Sequence, residues 1–379
     1  MLNKRIVISL ICVTVLFCIS CSMQKTESAN VRGDTLKLDY AEHLTIIKHS
    51  AYYEIKLADP WKKGKTLHTY ILINRHDSAT AGTLPKGTIV YIPLKRSLVF
   101  TTAHASLLTS LDKQYSIAGV CDLQYMLIPS IQNGVKRKVI VNCGNSMAPD
   151  IERIIELSPD AILLSPFENG GYGSLEKLHI PLIECADYME TSPLGRAEWM
   201  KFYGLLFGCE QKADSLFKVV ETSYLSLKRK AAISTNKPSV ITERLTGSVW
   251  YVAGGQSTVG QMINDANGQY IFSYYQKSGS IPLSFESVLD KAANAERWFI
   301  NYGGKQHVTY ADLFAENPGY AQIKAFKEHN VYAVNSSVVP YFEETPFRPD
   351  YLLRDYILMI HPEIHVLGRL KYYYKVANK

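Results

Sequence analysis

His361 and His365 stand four apart, a spacing that can bring two imidazoles onto one face of a helix around a metal ion. Pro362 falls between them at the end of a helix, so no zinc site is expected there, and the ten histidines of the chain are otherwise scattered. Asn169-Gly170-Gly171-Tyr172-Gly173-Ser174 is glycine-rich after a strand but lacks the G-x-G-x-x-G spacing. A flexible rim loop is expected in place of a phosphate cradle. No G-x-S-x-G elbow, G-x-x-x-x-G-K-[ST] loop or H-E-x-x-H helix occurs, which argues against the commonest hydrolytic and nucleotide chemistries. Glu152 and Glu286 each open a helix in corresponding places of the two halves of the chain. A carboxylate is favoured there by the helix dipole whatever its function.

The cysteines and the amino terminus concern export. Lys4 and Arg5 precede an apolar run from Ile6 to Ile19, followed by Ser20 and Cys21. This is the layout of a cleavable signal peptide, with residues 1–20 as the leader, and the run is short for a membrane span. Leu16-Phe17-Cys18-Ile19-Ser20-Cys21 is similar to a bacterial lipoprotein box, with Cys21 as the acylated residue and Cys18 an unusual occupant of its position. Of the seven cysteines, Cys121, Cys143, Cys185 and Cys209 would remain, in or beside apolar segments and without C-x-x-C spacing. Buried free thiols are expected, one disulfide being the alternative in an oxidising compartment. Loss of the leader leaves 39 basic against 35 acidic residues, a net charge of +4. That is too weak a bias to argue for nucleic acid.

The elements that must position any site follow from periodicity. Residues 21–35 are mostly polar and read as a tether. From Leu36 to Leu94 the chain reads as β, with segments at Leu44 to Ile47, Tyr52 to Lys56, Thr69 to Ile73 and Thr88 to Ile92 parted by turn residues. Beyond Ser97 strands and helices alternate: strands at Leu98 to Thr101, Ile117 to Val120, Lys138 to Val141, Ala161 to Leu164 and Pro181 to Cys185, helices at Ala105 to Leu111 and Asp150 to Leu157, with His104 in a turn. Such alternation implies a mostly parallel sheet, whose strand C-termini form the rim where open α/β sheets bind ligands. Cys209 to Ala232 contains no glycine or proline and repeats apolar residues at helical spacing, from Ala213 through Phe217, Val220, Tyr224 and Leu227 to Ala231. A helix of about 35 Å is predicted, long enough to join two lobes. The alternation then resumes, with strands at Ser239 to Glu243, Val249 to Val252, Trp298 to Asn301 and Val331 to Val334, and helices at Val259 to Ala266, Phe285 to Ala292 and Pro349 to Ile360. The expected organisation is a first α/β lobe at 36–208 with an added β-segment at 36–95, a linking helix at 209–236 and a second lobe at 237–379.

Several stretches resemble the periplasmic binding proteins of ABC importers for iron-siderophore complexes, haem and cobalamin. They are Leu98 to Val120 with Thr102-Ala103-His104-Ala105, Glu152 through Ser158-Pro159-Asp160-Ala161, Ser192-Pro193-Leu194-Gly195-Arg196, Gly260-Gln261-Met262-Ile263-Asn264-Asp265-Ala266-Asn267-Gly268, and Lys324-Ala325-Phe326-Lys327 leading into Val331 to Val334. The resemblance implies two Rossmann-like α/β lobes on one long backbone helix, a ligand between them, and no catalysis. It also implies permease docking through Glu152 and Glu286, an ABC permease and ATPase complex in the inner membrane as partner, and a lipid anchor at the periplasmic face.

A cleft for a metal chelate needs aromatic walls and a few polar anchors on the loops at strand ends. His104, Tyr125, Tyr172 and Tyr188 occupy such loops in the first half, and Arg244, Trp250, Tyr251, Phe342, Glu343 and Glu344 in the second. Arg244 could meet a carboxylate or catecholate oxygen, and His104 could be an axial ligand or donor. Siderophore or haem stands ahead of cobalamin, and no cofactor of the protein's own is expected. The alternative of another class is a periplasmic chelatase-like enzyme acting on tetrapyrroles.

Overall fold

The computed structural model describes residues 33–76 and 84–378. The expected leader, Cys21 and most of the tether therefore lie outside the described residues. Regular structure begins at Asp34, two residues ahead of the expected start, with β1 (Asp34–Leu36). It pairs with β2 (Leu44–Lys48), followed by β3 (Tyr53–Ala58), β4 (Thr66–Asn74) and β5 (Thr88–Ile92), in that spatial order. The first four strands are antiparallel neighbours, while β5 runs parallel to β4. Alternation decides which face is inward: Leu44 and Ile46 in β2, Ile55 and Leu57 in β3, and Val90 and Ile92 in β5 are buried.

Two buried carboxylates fasten this added sheet to the first lobe. Glu198 accepts the backbone N–H groups of Asp39, Tyr40 and Ala41 at 3.0, 2.8 and 3.0 Å. Glu190 accepts those of Glu42 and His43 at 3.0 and 2.9 Å and the indole N–H of Trp199 at 2.8 Å. Several donors to one anion are what make a buried carboxylate tolerable.

The first lobe is built on β6 (Ser97–Val99), β7 (Ile117–Val120), β8 (Val141–Asn142), a two-residue ribbon of β9 (Gly144–Asn145) and β10 (Ala148–Pro149), β11 (Ala161–Leu164) and β12 (Leu182–Glu184). Its main sheet is parallel throughout, in the order β12-β11-β6-β7-β8. The second lobe contains β13 (Ser239–Thr242), β14 (Leu245–Thr246), β15 (Val249–Ala253), β16 (Gln269–Tyr270), β17 (Ser280–Leu283), β18 (Arg297–Tyr302), β19 (Val331–Asn335) and β20 (Tyr374–Lys375). Its main sheet runs β16-β13-β18-β19-β20, parallel except at β20, and an antiparallel sheet β14-β15-β17 stands beside it.

The linking helix is Glu210–Ala231, and it buries the expected stripe of Ala213, Phe217, Val220, Tyr224, Leu227 and Ala231. Gly208 precedes it at φ 60°, a left-handed cap for the helix Met200–Phe207 that suits glycine. Toward the first lobe, the Tyr40 hydroxyl donates to Glu221 at 2.8 Å. Toward the second, the Tyr224 hydroxyl donates to Asp265 at 2.8 Å and Lys228 pairs with it at 2.6 Å. Among the described residues no helix is long and apolar enough to cross a membrane.

Local departures from the expected elements have identifiable causes. The strand expected at Lys138 to Val141 shrinks to Val141–Asn142, because Lys138, at φ 59°, lies in the turn after the helix Pro129–Lys136. The helix expected from Ala105 begins at Thr102, because the Thr101 hydroxyl caps the His104 N–H at 3.3 Å. His104 thus belongs to a helix and not to a turn.

Candidate functional site

At the C-terminal edge of the first-lobe sheet, the loops after β6, β7 and β11 surround a cavity of about 580 Å³. Phe100, Leu164 and Leu175 line it from the buried side, whereas Tyr125, Met147 and Phe167 line it while remaining 68%, 77% and 58% exposed. Tyr172 completes this wall from the glycine-rich loop, its hydroxyl donating to Glu184 at 2.6 Å. Glu184 in turn meets His68 of the added sheet at 2.8 Å, and His68 meets the Thr88 hydroxyl at 2.7 Å. The Tyr172 ring is therefore held in place by the added sheet. Asp122, at φ 53°, turns its carboxylate to the Ser146 hydroxyl and N–H on the cavity's rim.

A second cavity of about 370 Å³ lies between the lobes, lined by Thr101, Thr102 and Arg196 on one side and by Glu243, Asn301, Tyr341 and Phe342 on the other. Thr101 and Thr102 line both cavities, so the two abut. The seam beside them is closed by Glu343, whose buried carboxylate accepts from the Thr102 hydroxyl and the Leu127 N–H, both at 2.9 Å. Phe347 adds an apolar contact across the same seam, its ring 6.3 Å from His104 and 5.8 Å from Tyr203.

The sequence-derived residues divide sharply on this geometry. Tyr125 and Tyr172 line the first cavity, and Phe342 lines the second. Tyr188 instead donates its hydroxyl to the Pro166 carbonyl at 2.5 Å, beside the loop that carries Phe167. His104 is buried, with Nδ1 at 2.7 Å from the Thr101 hydroxyl and Nε2 at 2.9 Å from Asp187. With both nitrogens engaged, its ring lines neither cavity, so axial ligation has no geometry here. Burial pushes the Asp187 carboxyl upward, but His104 and Arg196 outweigh it and hold the carboxyl below its usual range.

In the second lobe Arg244 pairs with Glu316, so it does not present a free guanidinium. Trp250 is buried, stacked on Trp298 at 5.5 Å with its indole N–H on the Thr242 carbonyl at 2.9 Å. Tyr251, its neighbour on the strand, points the other way and is 46% exposed. Glu344 accepts from the Tyr372 hydroxyl and meets Lys371, each at 2.6 Å, within its own lobe. Glu152 and Glu286 both stand exposed in the first turns of their helices, Ile151–Leu157 and Phe285–Ala292.

Glu243 was not anticipated, because it reads as the last residue of a strand. Its left-handed φ of 65° turns it out of β13 into the interlobe cavity. Burial pushes its carboxyl up to about 7, against the opposing pull of Arg244 and a hydrogen bond from the Asn301 backbone. Arg196 and Asp187 were missed for a plainer reason: nothing local marks a pairing that only the folded loop creates.

Cys121, Cys143, Cys185 and Cys209 are free, and burial raises the thiols of Cys121 and Cys143 to about 12 and about 11. They are structural and poorly nucleophilic. Among the described residues no group of three or more histidine, cysteine or acidic side chains could hold a metal ion.

A model of the periplasmic binding protein family matches residues 105–338. The chain belongs to that family. The match begins after the added sheet, inside the helix Thr102–Ser110, and spans both lobes. As a periplasmic binding protein it is a carrier of the kind that serves ABC importers, built on the two lobes and single long helix described above. Two uncharacterised lipoproteins of Methanocaldococcus jannaschii are 25% identical to it, one over 86% of this chain and 82% of its own length, the other over 93% and 92%. Among solved structures, a possible iron-binding periplasmic solute-binding protein of Staphylococcus epidermidis superposes with a TM-score of 0.58 at 19% identity, over 71% of this chain and 99% of that one. A Staphylococcus aureus protein solved in complex with haem gives 0.56 at 19%, over 70% and 98%. At such identities the likeness is one of fold.

Proposed function

We propose that this periplasmic binding protein is anchored by lipid at Cys21, captures an iron chelate, either a siderophore complex or haem, and delivers it to an ABC permease through Glu152 and Glu286. The observation that carries the reading is the first-lobe cavity of about 580 Å³, walled by exposed Tyr125, Met147 and Phe167 and adjoining the interlobe space. Its volume lies in the range of small-molecule sites, and apolar walls with few polar groups suit a bulky chelate. Large aromatic and thioether groups left in water at a concave surface are those that gain most from being covered. The lipoprotein descriptions of the two archaeal relatives support the anchor.

The test is a calorimetric titration of residues 21–379 with haemin, ferric desferrioxamine and cyanocobalamin, repeated on a Glu152→Arg, Glu286→Arg double variant. One iron chelate is expected to bind one-to-one without release of its metal. Both carboxylates are exposed, so the double variant should keep chelate affinity within about twofold while losing stimulation of the permease ATPase, as removal of interfacial charges does. Silence toward all three ligands would overturn the chelate reading. An equal loss of binding and of ATPase stimulation would overturn the docking assignment.

A further inference from the structure

Arg196 and Glu243 are the charged residues that line the interlobe cavity, and the charges around them are matched. Arg196 meets Asp187 at 3.1 Å, Arg244 pairs with Glu316, and Glu343 accepts from Thr102 and Leu127. Glu243 differs: among the described residues it has no ion pair, yet it lines the cavity. Its backbone is fixed on both sides, the N–H donating to the Phe299 carbonyl at 2.8 Å and its own carbonyl accepting the Trp298 indole N–H at 2.6 Å. A non-glycine residue held at φ 65° by such bonds is strained, and strain of this kind persists where the surroundings impose it, often at ligand sites. Beside it in the cavity stand Tyr341 and Phe342, their rings 5.2 Å apart and perpendicular.

We propose that Glu243 is the anchor for a cationic group, an ammonium or guanidinium, carried by the ligand into the interlobe cavity. The remainder of the ligand lies against the first-lobe wall, and for its identity this inference rests on the chelate reading above. A carboxylate without an ion pair in a partly desolvated space gains a charge-assisted hydrogen bond when a cation enters, and the adjoining aromatic faces add cation–π attraction. Burial raises the proton affinity of Glu243 despite Arg244 nearby and the Asn301 backbone hydrogen bond, as fits a carboxylate with no ion pair until the ligand supplies one. Cationic chelates are therefore preferred over neutral ones of the same size.

Ferric desferrioxamine B, a trihydroxamate ending in a primary ammonium, and its N-acetylated form, which is neutral there, make the comparison directly. Wild-type protein at pH 8 is expected to bind the ammonium form about tenfold or more tightly, the order of one charge-assisted hydrogen bond. Glu243→Gln should bring the two affinities together, while Glu243→Asp should keep part of the preference. Equal binding of both forms by wild type, or a preference that survives in Glu243→Gln, overturns the proposal. A second arm separates it from the chelate reading, with millimolar pentylammonium and pentanol as probes of thermal unfolding. Pentylammonium alone should raise the midpoint of wild type and leave that of Glu243→Gln unmoved. If neither chelate binds but pentylammonium still discriminates, the chelate reading fails and the cation site stands; if pentylammonium does not discriminate, the cation site itself is refuted.

Discussion

In the first lobe Tyr125, Met147 and Phe167 leave more than half their surface in water around a cavity, whereas in the second lobe Trp250, Arg244 and Glu344 are each engaged within their own lobe. Both sets lie on or beside the loops that follow strands. The difference is that the first-lobe loops fold back on the main chain, through Tyr188 on the Pro166 carbonyl and Asp122 on the Ser146 N–H, and leave their apolar side chains outward. The second-lobe segments pack side chain on side chain, Trp250 on Trp298 and Tyr320 above all. On the proposed reading the ligand would be gripped unevenly: the first lobe offers a broad apolar wall, and the second offers the Glu243 carboxylate and the Glu343 latch.

The strongest way to break this comparison is at Asp187, the residue that holds the first-lobe side of the seam. Asp187→Ala would leave the buried His104 and the Arg196 guanidinium without their common anion, and removal of one partner of a buried pair costs about 3–5 kcal/mol. Urea denaturation should show that loss. A change under about 1 kcal/mol would mean the seam does not depend on this charge.

A smaller effect is expected at Glu343, the latch from the second lobe. Glu343→Ala leaves the Leu127 N–H and the Thr102 hydroxyl without their acceptor, at a cost of about 1–3 kcal/mol, and removes a tie between lobes. Hydrogen exchange should quicken in the helices Thr102–Ser110 and Tyr341–Glu344 while the first-lobe strands keep their protection. Unchanged exchange in both helices would show that Glu343 does not tie the lobes at this seam.

Much of the fold was legible in the sequence because its determinants are local. The linking helix was expected at Cys209 to Ala232 and occupies Glu210–Ala231, and the helix Pro349–Ile360 falls where its proline and apolar spacing put it. The site was less legible because its determinants are not local. Trp250 and Tyr251 are adjacent, and strand alternation requires one to point inward and the other outward, but only the packing of Trp298 and Tyr320 decides which. Arg244 looked available because its partner, Glu316, is 72 residues away. His104 looked like a loop ligand because the cap that places it in a helix, Thr101, is one hydroxyl among many. Glu243 was hidden by a backbone angle that no residue type announces.

The unevenness of the two lobes is tested most directly by binding one iron chelate, the better of haemin and ferric desferrioxamine, to Tyr125→Ala and Tyr251→Ala. Each variant removes an exposed tyrosine from one lobe, Tyr125 from the turn after β7 and Tyr251 from within β15, so neither should shift stability by more than about 0.5 kcal/mol. Tyr125→Ala is expected to weaken binding about tenfold, as loss of an aromatic anchor does, and Tyr251→Ala to change it by less than about twofold. Equal losses in the two variants, or a larger loss in Tyr251→Ala, would contradict the assignment of the first-lobe wall as the principal ligand surface.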